Sequence, residues 1–213
     1  MNNKLKIYTY IMLLFMAVAG LTSCESNDSK QDDPPTQGYL AKAKEILNEE
    51  IVLSTRTTMN GVDKTLLERG CPTKFKFEWN EEGGMILNLN NFTVGAMPFG
   101  ITFRSTTKFT NLNNWEQDEY PGNGWVKFVG TDGKVTIGRS EAKGDKEGSG
   151  ASVTGFLNVN TKQVEFIIDY NMMNVRIETF LQTIDKTRIS RFDEEFAQYE
   201  KDLEEAKKEQ GKN

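Results

Sequence analysis

Histidine is absent from all 213 residues. That absence removes the commonest general base, the usual catalytic triads and the usual zinc and haem ligand sets together. The chain therefore reads as non-enzymatic, with no catalytic residue, metal site or other cofactor implied. Cysteine occurs only at Cys24 and Cys71, so stability has to come from packing rather than from a disulfide framework. Basic charge is outweighed, 26 Lys and Arg against 31 Asp and Glu for a formal net charge of −5, and no cluster of Lys and Arg offers phosphates a counterion-releasing surface, which excludes nucleic acid as a partner. No apolar run approaches the roughly 20 residues that a spanning helix needs.

What is present begins with an export signal. Lys4 and Lys6 precede the apolar run Ile11 to Ala19, and the small residues Gly20, Thr22 and Ser23 lead into Cys24. This is the three-part layout of a signal peptide covering residues 1–23. Leu21-Thr22-Ser23-Cys24 resembles the lipobox of bacterial lipoproteins, which implies a diacylglyceryl group on the Cys24 thiol and a new N-terminus at that residue. More than one acyl chain gives stable membrane anchoring. Cys24 is thus a tether, and it leaves Cys71 without a pairing partner.

Residues 24–38 contain Glu25-Ser26-Asn27-Asp28-Ser29-Lys30-Gln31-Asp32-Asp33-Pro34-Pro35. So polar a segment cannot bury enough surface to offset its ordering entropy, which predicts a disordered stalk. Its acids are similar to the surface-export signals of Bacteroidota lipoproteins, implying an outer-membrane anchor with the domain exposed at the cell surface.

Residues 39–213 form one domain, large enough to bury roughly 70% of its unfolded surface. Tyr39, Leu40, Ala43, Ile46 and Leu47 share one helical face and predict a short opening helix. Strand signals follow. Ile51 to Met59 is rich in β-branched residues and ends before Gly61. Lys74-Phe75-Lys76-Phe77-Glu78-Trp79 alternates with period two. Met85, Leu87 and Leu89 alternate again, as do Phe99, Ile101 and Phe103. Trp125 to Val129 and Lys134 to Ile137 flank Asp132-Gly133, which predicts a hairpin turn. Val153 to Val159 and Val164 to Tyr170 flank Asn160-Thr161-Lys162 in the same way. Asn174 to Leu181 adds a further run after a break at Met172-Met173.

Ile189, Phe192, Phe196, Tyr199 and Leu203 mark a helix with one apolar stripe, with Ser190 as its predicted N-cap and fraying expected beyond Leu203. The stripe is too short for a coiled coil, so docking on the sheet and a monomeric chain are expected.

About eight or nine antiparallel strands framed by two helices predict a mainly β domain, as a single closed barrel whose closure removes exposed edges. A β-sandwich gives the same strand pattern. The stretch Gly150-Ala151-Ser152-Val153-Thr154-Gly155-Phe156-Leu157, continuing through Val164-Glu165-Phe166-Ile167-Ile168-Asp169-Tyr170 to Asn171, resembles the calycin-like β-barrel lipoproteins of gut Bacteroidota. That resemblance implies a calycin- or lipocalin-like barrel and an envelope location, and it carries no functional residues with it.

Four positions in a polar loop are the candidate ligand or partner site: Trp115, Asp118, Tyr120 and Trp125. Flat aromatic faces beside carboxylates suit a glycan or an envelope protein. A barrel of this size can also hold one small apolar ligand, unless Phe75, Phe77, Trp79, Phe99, Phe103, Phe128 and Phe166 fill it, which makes the domain a packed structural or protein-interaction module. The remaining candidates carry no chemistry. Glu165 and Asp169 lie roughly 13 Å apart on one strand face, too far for a glycosidase pair. Cys71 has no histidine to activate it and reads as a small buried hydrophobe. The glycine-rich run Gly144 to Gly150 lacks the ending of a phosphate loop and reads as a flexible hairpin connection. Neither it nor Asp132-Gly133 has the ligand count of a calcium loop.

Overall fold

The computed structural model describes residues 35–95, 97, 99–138, 146–171 and 174–210. The leader, Cys24 and most of the stalk lie outside the described residues, as do Gly144, Asp145 and the Met172-Met173 break. A helix α1 (Gln37–Ile46) opens the domain. Strands β1 (Glu49–Met59), β2 (Val62–Asp63), β3 (Cys71–Trp79), β4 (Met85–Phe92) and β5 (Gly100–Thr110) follow. A short helix α2 (Asn114–Glu119) leads to β6 (Trp125–Gly138), β7 (Lys146–Asn158), β8 (Gln163–Tyr170), β9 (Val175–Thr179) and β10 (Gln182–Thr183). A 3-10 segment Lys186–Arg191 then runs into α3 (Phe192–Gln210).

Each long strand pairs antiparallel with the next, from β1 through β3 to β8. The ring is closed by β9, which pairs with β8 on one side and with β1 on the other. The result is a closed eight-stranded antiparallel barrel, not a sandwich. The two-residue strands β2 and β10 are short additions at its rims. Asn60 and Gly61 both have positive φ at the β1–β2 turn, the conformation a tight hairpin of right-twisted strands requires.

Period-two alternation puts one set of side chains inside. Phe75, Phe77, Phe103, Phe128 and Phe166 are all fully buried there with Ile51, Leu53, Met85, Leu87 and Leu89. Phe166 is their hub, in edge-on contact with Phe75 at 4.9 Å and Phe77 at 6.3 Å between ring centroids, and tilted against Phe128 at 6.0 Å. None of these side chains exposes more than 1% of its surface, so they fill the barrel. Where the rings press on the wall, the wall is glycine. A Cβ at Gly155 would lie 2.5 Å from the Phe166 Cβ and closer still to the Phe128 ring.

The Asp132-Gly133 hairpin is not formed. β6 runs unbroken through it, with register shifts against β7 between Gly130 and Val135. The physical reason is close approach: a Cβ at Gly133 would sit 2.6 Å from the Phe103 ring and 2.8 Å from the Ala151 carbonyl oxygen. Asp-Gly therefore marks an irregularity that bends a long strand around the filled core, a use of glycine that looks like a turn in sequence. The glycine-rich run is likewise not wholly a connection, since β7 begins at Lys146. The Asn160-Thr161-Lys162 turn does form, with Lys162 at positive φ.

The first and last helices, α1 and α3, cover the barrel. Lys42 on α1 donates to Asn160 of the β7–β8 turn at 3.1 Å, and the Trp79 indole of β3 donates to the Leu47 carbonyl at 2.6 Å. β3 and β7 stand on opposite sides of the ring, so these contacts stretch α1 across one mouth. α3 packs on the outside of β3, with Tyr199 and Leu203 buried and the Tyr199 hydroxyl donating to the Thr65 carbonyl at 3.1 Å. The helical segment starts before Ser190: Asp185 caps the 3-10 turn by accepting from the Thr187 N–H at 2.9 Å, while the Ser190 hydroxyl donates to the Thr187 carbonyl. Helix also persists beyond Leu203 to Gln210. Cys71 is fully buried, and that burial pushes its thiol up to about 12, so no thiolate is available.

Candidate functional site

The polar loop of the sequence reading folds as α2. Asn113 accepts from the Glu116 N–H at 2.9 Å, and Glu116 returns the bond by accepting from the Asn113 N–H at 2.9 Å. This reciprocal capping box satisfies two otherwise orphaned donors, and Asn113 with Glu116 three residues on was a legible signal for it. The other Glu116 oxygen accepts from Lys127 on β6 at 2.5 Å, which compensates a carboxylate that is only 2% exposed. The helix is thereby fixed to the barrel wall.

The end of α2 delivers Tyr120 onto that wall. Its ring stacks on Phe156 with centroids 4.2 Å apart and meets Trp125 at 5.0 Å, and its hydroxyl donates to the Glu165 carboxylate. Register explains the meeting: Lys127 pairs with Phe156 across β6–β7 and Phe156 with Glu165 across β7–β8, so all three stand in one outward row. Tyr120 is 7% exposed and the Trp125 indole is tied to the Pro121 carbonyl at 3.3 Å. Trp115 is 64% exposed and touches neither ring, and Asp118 is exposed beside it. Of the four candidate positions, the structure joins Tyr120 to Trp125 and leaves Trp115 and Asp118 outside the cluster.

Beside this cluster the wall opens into a groove of about 400 Å³. Its origin is an interrupted ladder. β9 leaves β8 at Thr179, whose hydroxyl accepts the Phe166 N–H at 2.8 Å, and pairing resumes only at Gln182 opposite Val164. Phe180 and Leu181 bulge outward between these points, and Leu181 is 48% exposed. The Gln182 side chain then stands in for a missing peptide group, accepting the Ser54 N–H at 2.9 Å and donating to the Ser54 carbonyl at 3.1 Å. Arg188 buttresses it, donating to the Gln182 oxygen at 3.3 Å and to Glu195 at 2.7 Å.

Phe156, Ile167 and Leu181 make the apolar part of the groove, and Glu119, Glu165, Glu178 and Arg56 its charged part. Glu178 is paired with Arg176, and Arg56 with Asp63 at 3.4 Å. Glu165 is bonded to a neutral phenol, and Glu119 has no ion-pair partner among the described residues. The Tyr120 phenol is held well above its ordinary range, first by burial, then by the bond to Glu165 and the negative charges of Glu165, Glu119 and Glu116. Two uncompensated carboxylates therefore flank an aromatic wall.

A family model described as a domain of unknown function, DUF4903, matches residues 24–211. The chain belongs to the DUF4903 family. No curated protein and no solved structure matches it. The DUF4903 match runs from Cys24 through the whole barrel and α3, so the groove is built entirely from residues inside the family domain.

Sequence reasoning missed Glu119, Phe156, Ile167 and Leu181, and it assigned Glu165 no chemistry. Strand periodicity placed Glu165, Ile167 and Asp169 on one face. Nothing local showed that Tyr120 would reach that face or that β9 would part from β8 above it. Asp169 does remain surface, paired with Arg176 at 3.6 Å.

Proposed function

We propose that this chain is a non-enzymatic envelope lipoprotein, tethered through Cys24, that binds a partner on the outer wall of its barrel. The observation that carries the reading is the groove between Tyr120 and Leu181 above a core already filled by Phe166 and its neighbours. A small apolar ligand inside the barrel would have to displace those rings. An outer-wall partner displaces nothing. The tether reading draws on the lipobox-like Leu21-Thr22-Ser23-Cys24 and on a family match whose first residue is Cys24.

A photo-reactive residue in place of Leu181, introduced in intact cells, tests the site. Discrete adducts at position 181 that vanish with Ile167→Lys are expected, with no adduct from position 82 in the β3–β4 turn, across the ring from β8. Equal labelling at both positions would refute an outer-wall site. Cys24→Ser should move the protein from the membrane to the soluble fraction, and protease treatment of whole cells should remove the domain if it is displayed outward. A glycan-binding reading rests on Trp115, whose ring is open to solvent. Trp115→Ala with unchanged binding to a glycan array would dispose of it.

A further inference from the structure

We propose that the groove seats a cationic, extended polypeptide segment: a Lys or Arg side chain between Glu119 and Glu165, and an apolar side chain two residues away on Ile167 and Leu181. This rests on the reading of the groove as the partner site and names what that partner presents.

Charge complementarity selects the occupant. Glu178 and Arg56 are already paired, whereas Glu119 and Glu165 have no ion-pair partner among the described residues. An anionic occupant, whether an acidic peptide or a phosphate headgroup, would bring a third negative charge beside these two and be repelled by both. A cation gains from both carboxylates and from the half-buried Phe156 ring. The wall already tolerates such a group, since the Lys127 ammonium lies 6.0 Å from the Phe156 ring centroid. The apolar half of the groove argues for more than a free amine. Ile167 and Leu181 offer a surface that a small hydrophilic cation leaves wet, and the exposed Leu181 is a side chain that a partner would cover. An extended strand places its i and i+2 side chains on one face about 6.6 Å apart, so one short segment can reach the acids and the apolar floor together. The partner can be neutral or acidic elsewhere. Only the seated residue has to carry positive charge.

The test is to pan a phage-displayed random heptapeptide library against the chain immobilised through its N-terminal end, then to measure the enriched peptides on variants. Enriched sequences are expected to carry Lys or Arg two positions from a large apolar residue. They should bind at least tenfold more weakly to Glu119→Gln/Glu165→Gln and to Leu181→Asp, and weaken as salt is raised. Glu119→Gln alone, at an exposed position, gives the same sign without touching the Tyr120 contact, so a folding defect in the double variant would not mask the result. Enriched peptides that lack basic residues but still need Leu181 would overturn the cationic segment and leave the groove standing. Peptides indifferent to every one of these variants, or no enrichment at all, would overturn both.

Discussion

Glu165 and Phe166 are neighbours on β8 that face opposite ways, and the two sides of the wall they define differ in kind. Inward, Phe166 is 1% exposed and touches three other rings. Outward, Glu165 meets a tyrosine from a different part of the chain at the edge of a groove whose rim residue Leu181 is half exposed. The inside is closed by packed rings, whereas the outer wall at the groove leaves Leu181 half exposed. Residues of the first kind answer to substitution with unfolding, those of the second with loss of binding.

The sharpest way to break that distinction is Phe166→Ala. Emptying the hub should lower stability by about 3–5 kcal/mol, read as a shift of the denaturant midpoint, and a cost no larger than that of Leu181→Asp would erase the contrast. Next comes Gly155→Ala, which adds a methyl group where the Phe128 ring and the Phe166 Cβ already meet the backbone. About 1–3 kcal/mol of overpacking strain is expected, visible as a lower thermal midpoint. Gln182→Ala removes the side chain that joins Ser54 to the end of β9. A loss of about 1 kcal/mol should appear, with faster amide exchange at Ser54 and Phe180 and little change around Phe166. Leu181→Asp should alter stability by no more than about 0.5 kcal/mol while abolishing binding at the groove.

The smallest effect concerns acid. Hydrogen bonds from the Thr187 hydroxyl and N–H hold the Asp185 carboxyl below its ordinary value, with Arg191 and Arg188 adding to the depression. Stability from a depressed carboxyl is fully present above the unfolded value and is lost as pH falls through the folded one. Wild type and Asp185→Asn should therefore converge in melting temperature as pH drops into that range. A gap that widened on acidification would contradict the cap.

How far the sequence could be read depended on the range of the interaction. The β7–β8 hairpin was legible because Val153 to Val159 and Val164 to Tyr170 alternate around a three-residue turn, and α3 because its stripe repeats within the helix. Asp132-Gly133 misled because glycine serves both a turn and a close approach, and only the Phe103 ring on another strand decides between them. The hidden α2 was a matter of reading: its capping box lies within four residues. Closure of the barrel by β9 against β1 joins segments more than a hundred residues apart, and no local pattern distinguishes it from a sandwich.

The amino-acid order alone determined which residues face in and which face out, because strand period and side-chain polarity act over a few residues. The export signal and anchor proposed at Cys24 rest on the same kind of short local pattern. Tertiary structure decided what the outward residues became. Ring closure, strand register and the parting of β9 from β8 set Glu165, Glu119 and Leu181 around one groove, through contacts whose partners lie far apart in the chain.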